Sequence, residues 1–159
     1  NDDSIQSRAF SPGDSPTDIA IPESVTSIGD LIFFSCDNLR AVSFSGDAPT
    51  CGDRPFRHDS GVTIFYRQGT SGWSDTFAGR PTAIWPKLSR AQASPAGLDF
   101  EVTASEGQEL VIECRTNLTS GTWTPIATNT VPAGDRLEFS DTNDNLDPHC
   151  YYRVVIPLE

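Results

Sequence analysis

The sequence predicts a mainly β chain in two parts: a short solenoid with a 23-residue period, capped at its C-terminal end, linked to a small antiparallel β-sandwich. Three observations carry this. Phe10, Phe33 and Phe56 stand 23 residues apart, as do Ile5 and Ile28, Ile19 and Val42, and Ile21 and Phe44. A fixed period in this range marks a solenoid, whose repeats bury their apolar faces only against their neighbours. A run of small residues from Lys87 to Gly97 then interrupts all periodicity, and beyond it apolar residues alternate in short segments. The expected domains are 1–87 for the capped solenoid, 88–97 for a linker and 98–159 for the sandwich.

Within the repeat, the alternations Ile19/Ile21 and Val42/Phe44 suit strands of a few residues. Pro22 ends the first of them by removing a ladder donor. Ile28-Gly29 turns into a compact segment carrying Phe33 and Cys36, so each coil is one strand plus one irregular stretch. After Phe56 the register slips, and Val62, Ile64 and Tyr66 no longer align at 23. From Gly61 to Trp85 the chain reads as a cap. Trp73, Phe77 and Trp85 supply apolar area to close the last coil, and Gly69, Gly72 and Gly79 allow tight turns. In the second half, Leu98/Phe100/Val102, Leu110/Ile112, Leu137/Phe139 and Tyr152/Val154/Ile156 alternate. Turn signals at Glu106-Gly107, Ser120-Gly121, Ala133-Gly134 and Asn143-Asp144-Asn145 separate them. Such spacing, about 8–12 residues between turns, suits a sandwich.

Residues 19–44 resemble the bacterial surface (BspA-like) leucine-rich repeats, through Ile-Pro, Ser-Val-Thr-Ser-Ile-Gly, the phenylalanine, and Cys-Asp-Asn-Leu-Arg-Ala-Val-Ser-Phe. The flanking coils depart from the pattern: Gly13 and Pro16 stand where Cys36 and Leu39 stand, and Cys51 where Ile28 stands. Residues 61–85 resemble the C-terminal ending of such arrays in secreted bacterial proteins. Residues 98–159, with Cys-Arg-Thr-Asn-Leu, Gly-Thr-Trp-Thr-Pro, Phe-Ser-Asp and Tyr-Tyr-Arg-Val, resemble fibronectin-like modules of bacterial surface proteins. These resemblances imply an extracellular or cell-surface protein, and for the repeats a role in adhesion.

Asp and Glu number 22 against 11 Lys and Arg, a net charge of −11, and no basic run exists to neutralise phosphates. That balance argues against a nucleic-acid partner. No apolar run reaches membrane-spanning length. With Asn1 first and no Met, the chain is expected to be processed from a longer precursor.

The four cysteines lie in no Cys-x-x-Cys pair, and His58 and His149 stand apart from any ligand spacing, which disfavours zinc. Two cysteines fall in each half, so the expected bridges are Cys36–Cys51 and Cys114–Cys150, formed in an oxidising compartment; buried free thiols are the alternative. Asp141, Asn143, Asn145 and Asp147 begin like a calcium loop, but the glycine after Asn145 is missing and Tyr152 stands where a bidentate Glu would close it. A polar turn with side-chain hydrogen bonds is the preferred reading, and calcium is the one cofactor with a candidate site. Asn117-Leu-Thr119 is a glycosylation sequon, although a bacterial source makes that modification uncommon. Tyr66, Trp73, Trp85, Trp123 and Tyr151 are candidates for a sugar-stacking platform or, preferably, for core and cap packing.

No nucleophile, base and orienter set is recognisable, so a non-enzymatic role is expected. The solenoid starts inside a repeat, which leaves unpaired strand edges and apolar surface at residues 1–10. Missing residues, the chain's own N-terminus or a neighbouring subunit would cover that end. In the last case Ile5, Phe10, Ile19 and Ile21 form an assembly surface, and a head-to-tail contact builds a filament. The expected function is thus an extracellular structural protein, a self-assembling filament or surface-layer subunit. An adhesin fragment binding host, matrix or polysaccharide ligands is the alternative, and a carbohydrate-binding module the second alternative.

Overall fold

The computed structural model describes residues 3–10, 16–94, 97–117, 119–142 and 150–157. These residues form β-strands and turns, with no helix among them. The chain divides into two compact units, Asn1–Trp85 and Pro86–Glu159.

The first unit holds β1 (Ser4–Ile5), β2 (Asp18–Ile21), β3 (Ser27–Ile28), β4 (Ala41–Phe44), β5 (Thr50–Cys51), β6 (Thr63–Tyr66), β7 (Thr76–Phe77) and β8 (Arg80–Ile84). One parallel sheet runs β1-β3-β5, and a second runs β2-β4-β6-β8 with β7 antiparallel at its end. The sequence period is the strand register: Ile5 pairs with Ile28 and Ile28 with Cys51, while Ile19 pairs with Val42 and Ile21 with Phe44. From β4 to β6 the offset falls to 22, with Val42 opposite Ile64 and Phe44 opposite Tyr66. Pairing therefore continues through the slip, one residue short.

Between the two sheets, the turn regions stack as well. Phe10 lies 5.2 Å from Phe33, and Phe33 lies 5.0 Å from Phe56, ring on ring. Backbone bonds tie each turn to the next: Phe10 N–H donates to Ile32 O at 3.2 Å, and Phe33 N–H to Pro55 O at 3.0 Å. Aiming amides along the stack bends the backbone into the left-handed region at the same place in each coil, at Arg8, Leu31 and Arg54. Asp30 Oδ1 accepts the Asp53 amide at 2.7 Å, and Ser7 Oγ accepts the Asp30 amide at 3.1 Å. Gly29 explains the Ile-Gly pair of the repeat, because a Cβ there would lie 2.5 Å from the Ser7 nitrogen of the coil below. At the far end Trp73 stacks on Tyr66 at 5.2 Å and touches Phe44 and Phe77, closing the apolar interior. Trp85 packs edge-on against Phe65, on the other face of β6, and keeps 47% of its surface exposed.

The second unit holds β9 (Lys87–Ser94), β10 (Gly97–Thr103), β11 (Glu109–Arg115), β12 (Thr124–Thr130), β13 (Arg136–Asp141) and β14 (Tyr151–Val155). They form two antiparallel three-stranded sheets, β13-β10-β9 and β12-β11-β14. Both contribute to one apolar cluster, with Phe100, Val102, Leu110, Ile112 and Val131 buried and Leu88, Phe139, Tyr152 and Val154 packed around them. The expected linker at 88–97 is corrected here: most of it is strand β9, paired to β10 from Lys87 opposite Thr103 to Ser94 opposite Gly97. Ser and Ala at alternate positions give that strand no apolar signal. A register shift opposite Asp99–Glu101, with Arg90 left-handed, breaks what alternation there is.

Candidate functional site

The stacking brings side chains from successive coils into columns, and one column is polar. The turns that follow β2, β4 and β6 line a depression of about 490 Å³ bounded by Glu23, Ser45, Asp47, Arg67, Gln68 and Thr70, with Gly46 and Gly69 in its wall. Gly46 rests directly on Glu23: a Cβ there would lie 3.0 Å from the Glu23 Cα. The glycines leave room where the first coil carries a glutamate. Two bonds brace the rim. Asp47 Oδ1 accepts the Ser71 amide at 2.8 Å, and the Thr70 hydroxyl donates to Arg67 O at 2.6 Å. Backbone bonds from Ser45 N–H to Ile21 O and from Arg67 N–H to Phe44 O fix the floor. The Glu23 carboxylate, the Arg67 guanidinium and the Gln68 amide are all exposed, so the notch offers both signs of charge and both donors and acceptors. Apart from Gly69, read as a turn glycine, none of these residues stood out in the sequence; the signal was the 23-residue spacing of Glu23, Gly46 and Gly69.

A second polar group lies at the end of the turn stack. Asp59 stands one period after Cys36, is only 4% exposed, and neither carboxylate oxygen makes a well-aligned hydrogen bond. Burial, then the Asp37 charge, raise its pKa, against a partial offset from the Cys36 backbone amide and then from the charges of Arg80 and His58. Arg80 caps this turn, donating from Nη1 to Ser60 O and from Nη2 to Phe56 O, both at 3.3 Å. Its guanidinium takes the place that amides of a further coil would fill.

The structure separates the residues expected to act together. Cys36 is 2% exposed in the interior, where burial, then Asp59 and Asp37, push its thiol pKa up. Cys51 ends the column Ile5–Ile28–Cys51 and is exposed; burial of its sulfur raises that thiol as well. The two belong to different columns of the coil, and both are free thiols, so the expected Cys36–Cys51 bridge is corrected. Cys114 lies on β11 opposite Tyr152, and Cys150 lies just before β14. Cys114 is a thiol in this structure.

Asp141 is the one described member of the expected calcium loop. It is buried, and its Oδ2 accepts the Tyr152 hydroxyl at 3.1 Å, a bond that together with burial raises the tyrosine pKa. Asn143, Asn145 and Asp147 lie outside the described residues, as does His149. Among the described residues no group of three or more His, Cys, Asp or Glu is placed to hold a metal ion. Asn117 is exposed after β11, and its Oδ1 accepts both the amide and the hydroxyl of Thr119 at 2.9 Å.

Ile5, Phe10 and Ile19 are half-buried against the first unit's core, and Ile21 is 2% exposed, so Ile21 is core and no part of an assembly surface. Of the aromatic platform, Tyr66 and Trp73 pack into the cap. Trp123 is flanked by the guanidinium groups of Arg115 at 4.4 Å and Arg153 at 4.5 Å. Among the described residues, Tyr151 and Trp85 are the exposed large apolar side chains.

Residues 3–72 match the family model described as the BspA type leucine rich repeat region, in 6 copies. The matched residues carry β1 to β6, the phenylalanine stack and the polar notch. Neither a search of curated proteins nor one of solved structures returns a match. No helix among the described residues is long and apolar enough to cross a membrane.

Proposed function

We propose that the chain is a non-enzymatic, surface-displayed recognition segment of adhesin type, held outside a bacterial cell and binding a protein or polysaccharide partner. On this reading the first unit is a short leucine-rich-repeat solenoid, and the second is a small fibronectin-like β-sandwich. The observation that carries it is the polar notch built by three successive coils of a BspA-type repeat region. A stack of coils is a rigid scaffold, and polar side chains at its turns are presented without cost to the core. Glu23, Arg67 and Gln68 suit the mixed hydroxyl, amide and charged groups of such partners.

The test is binding of the purified chain to immobilised extracellular-matrix proteins and to a glycan array, alongside Arg67→Ala. A partner whose affinity falls at least tenfold in that variant, with unchanged thermal stability, supports the reading. Binding that is indifferent to Arg67 removes the notch from it, and no binding across both panels removes the reading. Binding confined to glycans would make the chain a carbohydrate-binding module.

A second reading, head-to-tail self-association into a filament, is favoured by the edges of β1 and β2, each hydrogen-bonded to one strand among the described residues. Negative-stain microscopy across concentrations, with and without calcium, separates filaments with a regular axial repeat from monodisperse particles. The latter sink this reading.

A further inference from the structure

We infer that Cys114 and Cys150 are the two halves of an oxidisable cross-link between strands β11 and β14, a modification site that fastens the second unit independently of what the notch binds. The strand register leads to it. Cys114 stands opposite Tyr152, and Arg115 opposite Tyr151 is the last pair of that ladder. Cys150 precedes Tyr152 by two residues, so the two-residue alternation of strands places it on the face shared by Tyr152 and Cys114. That face is the apolar interior, because Tyr152 packs there with Phe100 at 5.5 Å. Both cysteines are half-buried. Both also lie close enough to the Tyr152 hydroxyl to add to the rise of its pKa, after burial and Asp141.

Diagonal neighbours across an antiparallel pair lie about 7–8 Å apart, just beyond the Cα separation of up to about 7 Å that a disulfide spans. Cys150 sits one residue outside the ladder, so moving it inward by about 1 Å breaks no pair between β11 and β14. The other two cysteines offer no such arrangement: Cys36 is enclosed in the first unit's core and Cys51 is exposed on β5.

The chemistry needs an oxidant of the low-molecular-weight disulfide class. One cysteine thiolate attacks oxidised glutathione and expels one glutathione thiolate, leaving a mixed disulfide. The second thiolate attacks the protein sulfur of that mixed disulfide and expels the second glutathione. Two protein thiols thereby lose two protons and two electrons, and one glutathione disulfide becomes two glutathiones. The bond closes the chain from 114 to 150, a span that includes β12 and β13. Cross-linking a loop of this length restrains the unfolded chain strongly.

The experiment treats the folded, reduced full chain with oxidised glutathione, blocks residual thiols, and maps peptides by mass spectrometry without reduction. The expected result is a linked Cys114–Cys150 peptide with an unmodified Cys36. A mixed glutathione adduct appears on Cys51 at most. The thermal midpoint rises by on the order of 10 °C. Cys150→Ser abolishes both the linked peptide and the rise, and Cys51→Ser abolishes neither. Recovery of Cys114 and Cys150 as separately blocked thiols, or as separate glutathione adducts, overturns the inference. The wild-type peptide map decides this even if Cys150→Ser fails to fold.

Discussion

The two units solve the same problem, burying a small apolar core with β-strands, in opposite ways. In the first, the parallel strands β1 to β6, of two to four residues, pair at offsets of 23 and 22, and the Phe10–Phe33–Phe56 stack repeats one contact. Each coil is held by the coil before and the coil after. In the second, strands of five to eight residues pair antiparallel, and no contact recurs at a fixed period. Its cluster needs Phe100, Ile112, Phe139 and Val154 from four strands at once. Stability in the first unit is therefore close to a sum of neighbour terms, and in the second it belongs to the whole. A stack tolerates exchange of what lies on its turns, and that is where its polar notch sits.

The sharpest way to break this contrast is Phe33→Ala. Phe33 is fully buried between two other rings, and removing it should cost about 4 kcal/mol through lost burial and the cavity left behind. Hydrogen exchange should show protection falling first in the coils of Phe10 and Phe56, with β8 less affected. Uniform loss across all coils would make the first unit as cooperative as the second. The counterpart is Gly97→Ala. Gly97 has φ +140°, and a Cβ there would lie 1.7 Å from the Asp141 carbonyl oxygen, so β10 and β13 cannot keep their pairing. A cost on the order of 3 kcal/mol is expected, with protection lost across all six strands of the second unit together. Loss confined to the ends of β10 and β13 would show that the second unit also yields piecemeal. Gly29→Ala is smaller, about 2 kcal/mol in urea unfolding, because the new methyl would meet the Ser7 nitrogen at 2.5 Å, a lesser overlap than the 1.7 Å at Gly97. Its effect should fade within one coil.

How much of this was legible in the sequence divides along the same line. The period at Phe10, Phe33 and Phe56 was visible because stacked coils put the same demand on residues one repeat apart. The β10, β11, β13 and β14 segments were visible through their alternating apolar residues. Strand β9 was not, because Ser89, Ala91 and Ala93 bury too little to leave a pattern, and the irregularity at Arg90 resets the phase. Columns decide which side chains meet, and a linear reading cannot tell that Cys36 and Cys51 stand in different ones. The left-handed backbone at Arg8, Leu31 and Arg54 was equally silent, because the inter-coil hydrogen bonds impose it on residues that do not advertise it. The notch was hidden because glycines make part of it, and an absent side chain draws attention only once the coils are superposed.

The smallest expected effect concerns the point where the repeat stops repeating. Asp59 occupies the position of Cys36 one coil later, yet it is buried with only the Cys36 amide, poorly aligned, near its oxygens, and its pKa lies above the ordinary carboxylate value of 3.8. The folded chain therefore holds the Asp59 proton more tightly than the unfolded chain does. Below pH 3.8 both forms are protonated and the residue makes no difference to stability. As pH rises toward the raised folded value, the unfolded chain ionises first and gains, so stability is lost across that window and stays lost at neutral pH. Asp59→Asn removes the charge at constant size. It should raise stability by about 1 kcal/mol at pH 7 and leave it nearly unchanged at acid pH, read from urea unfolding at both. A loss of stability at pH 7 would mean that Arg80, whose guanidinium caps the same turn, holds Asp59 as an ion pair. The last coil would then be closed by charge rather than by carbonyl capping, and the end of the stack would resemble the Arg90–Glu101–Arg136 cluster of the second unit more than the coils beneath it.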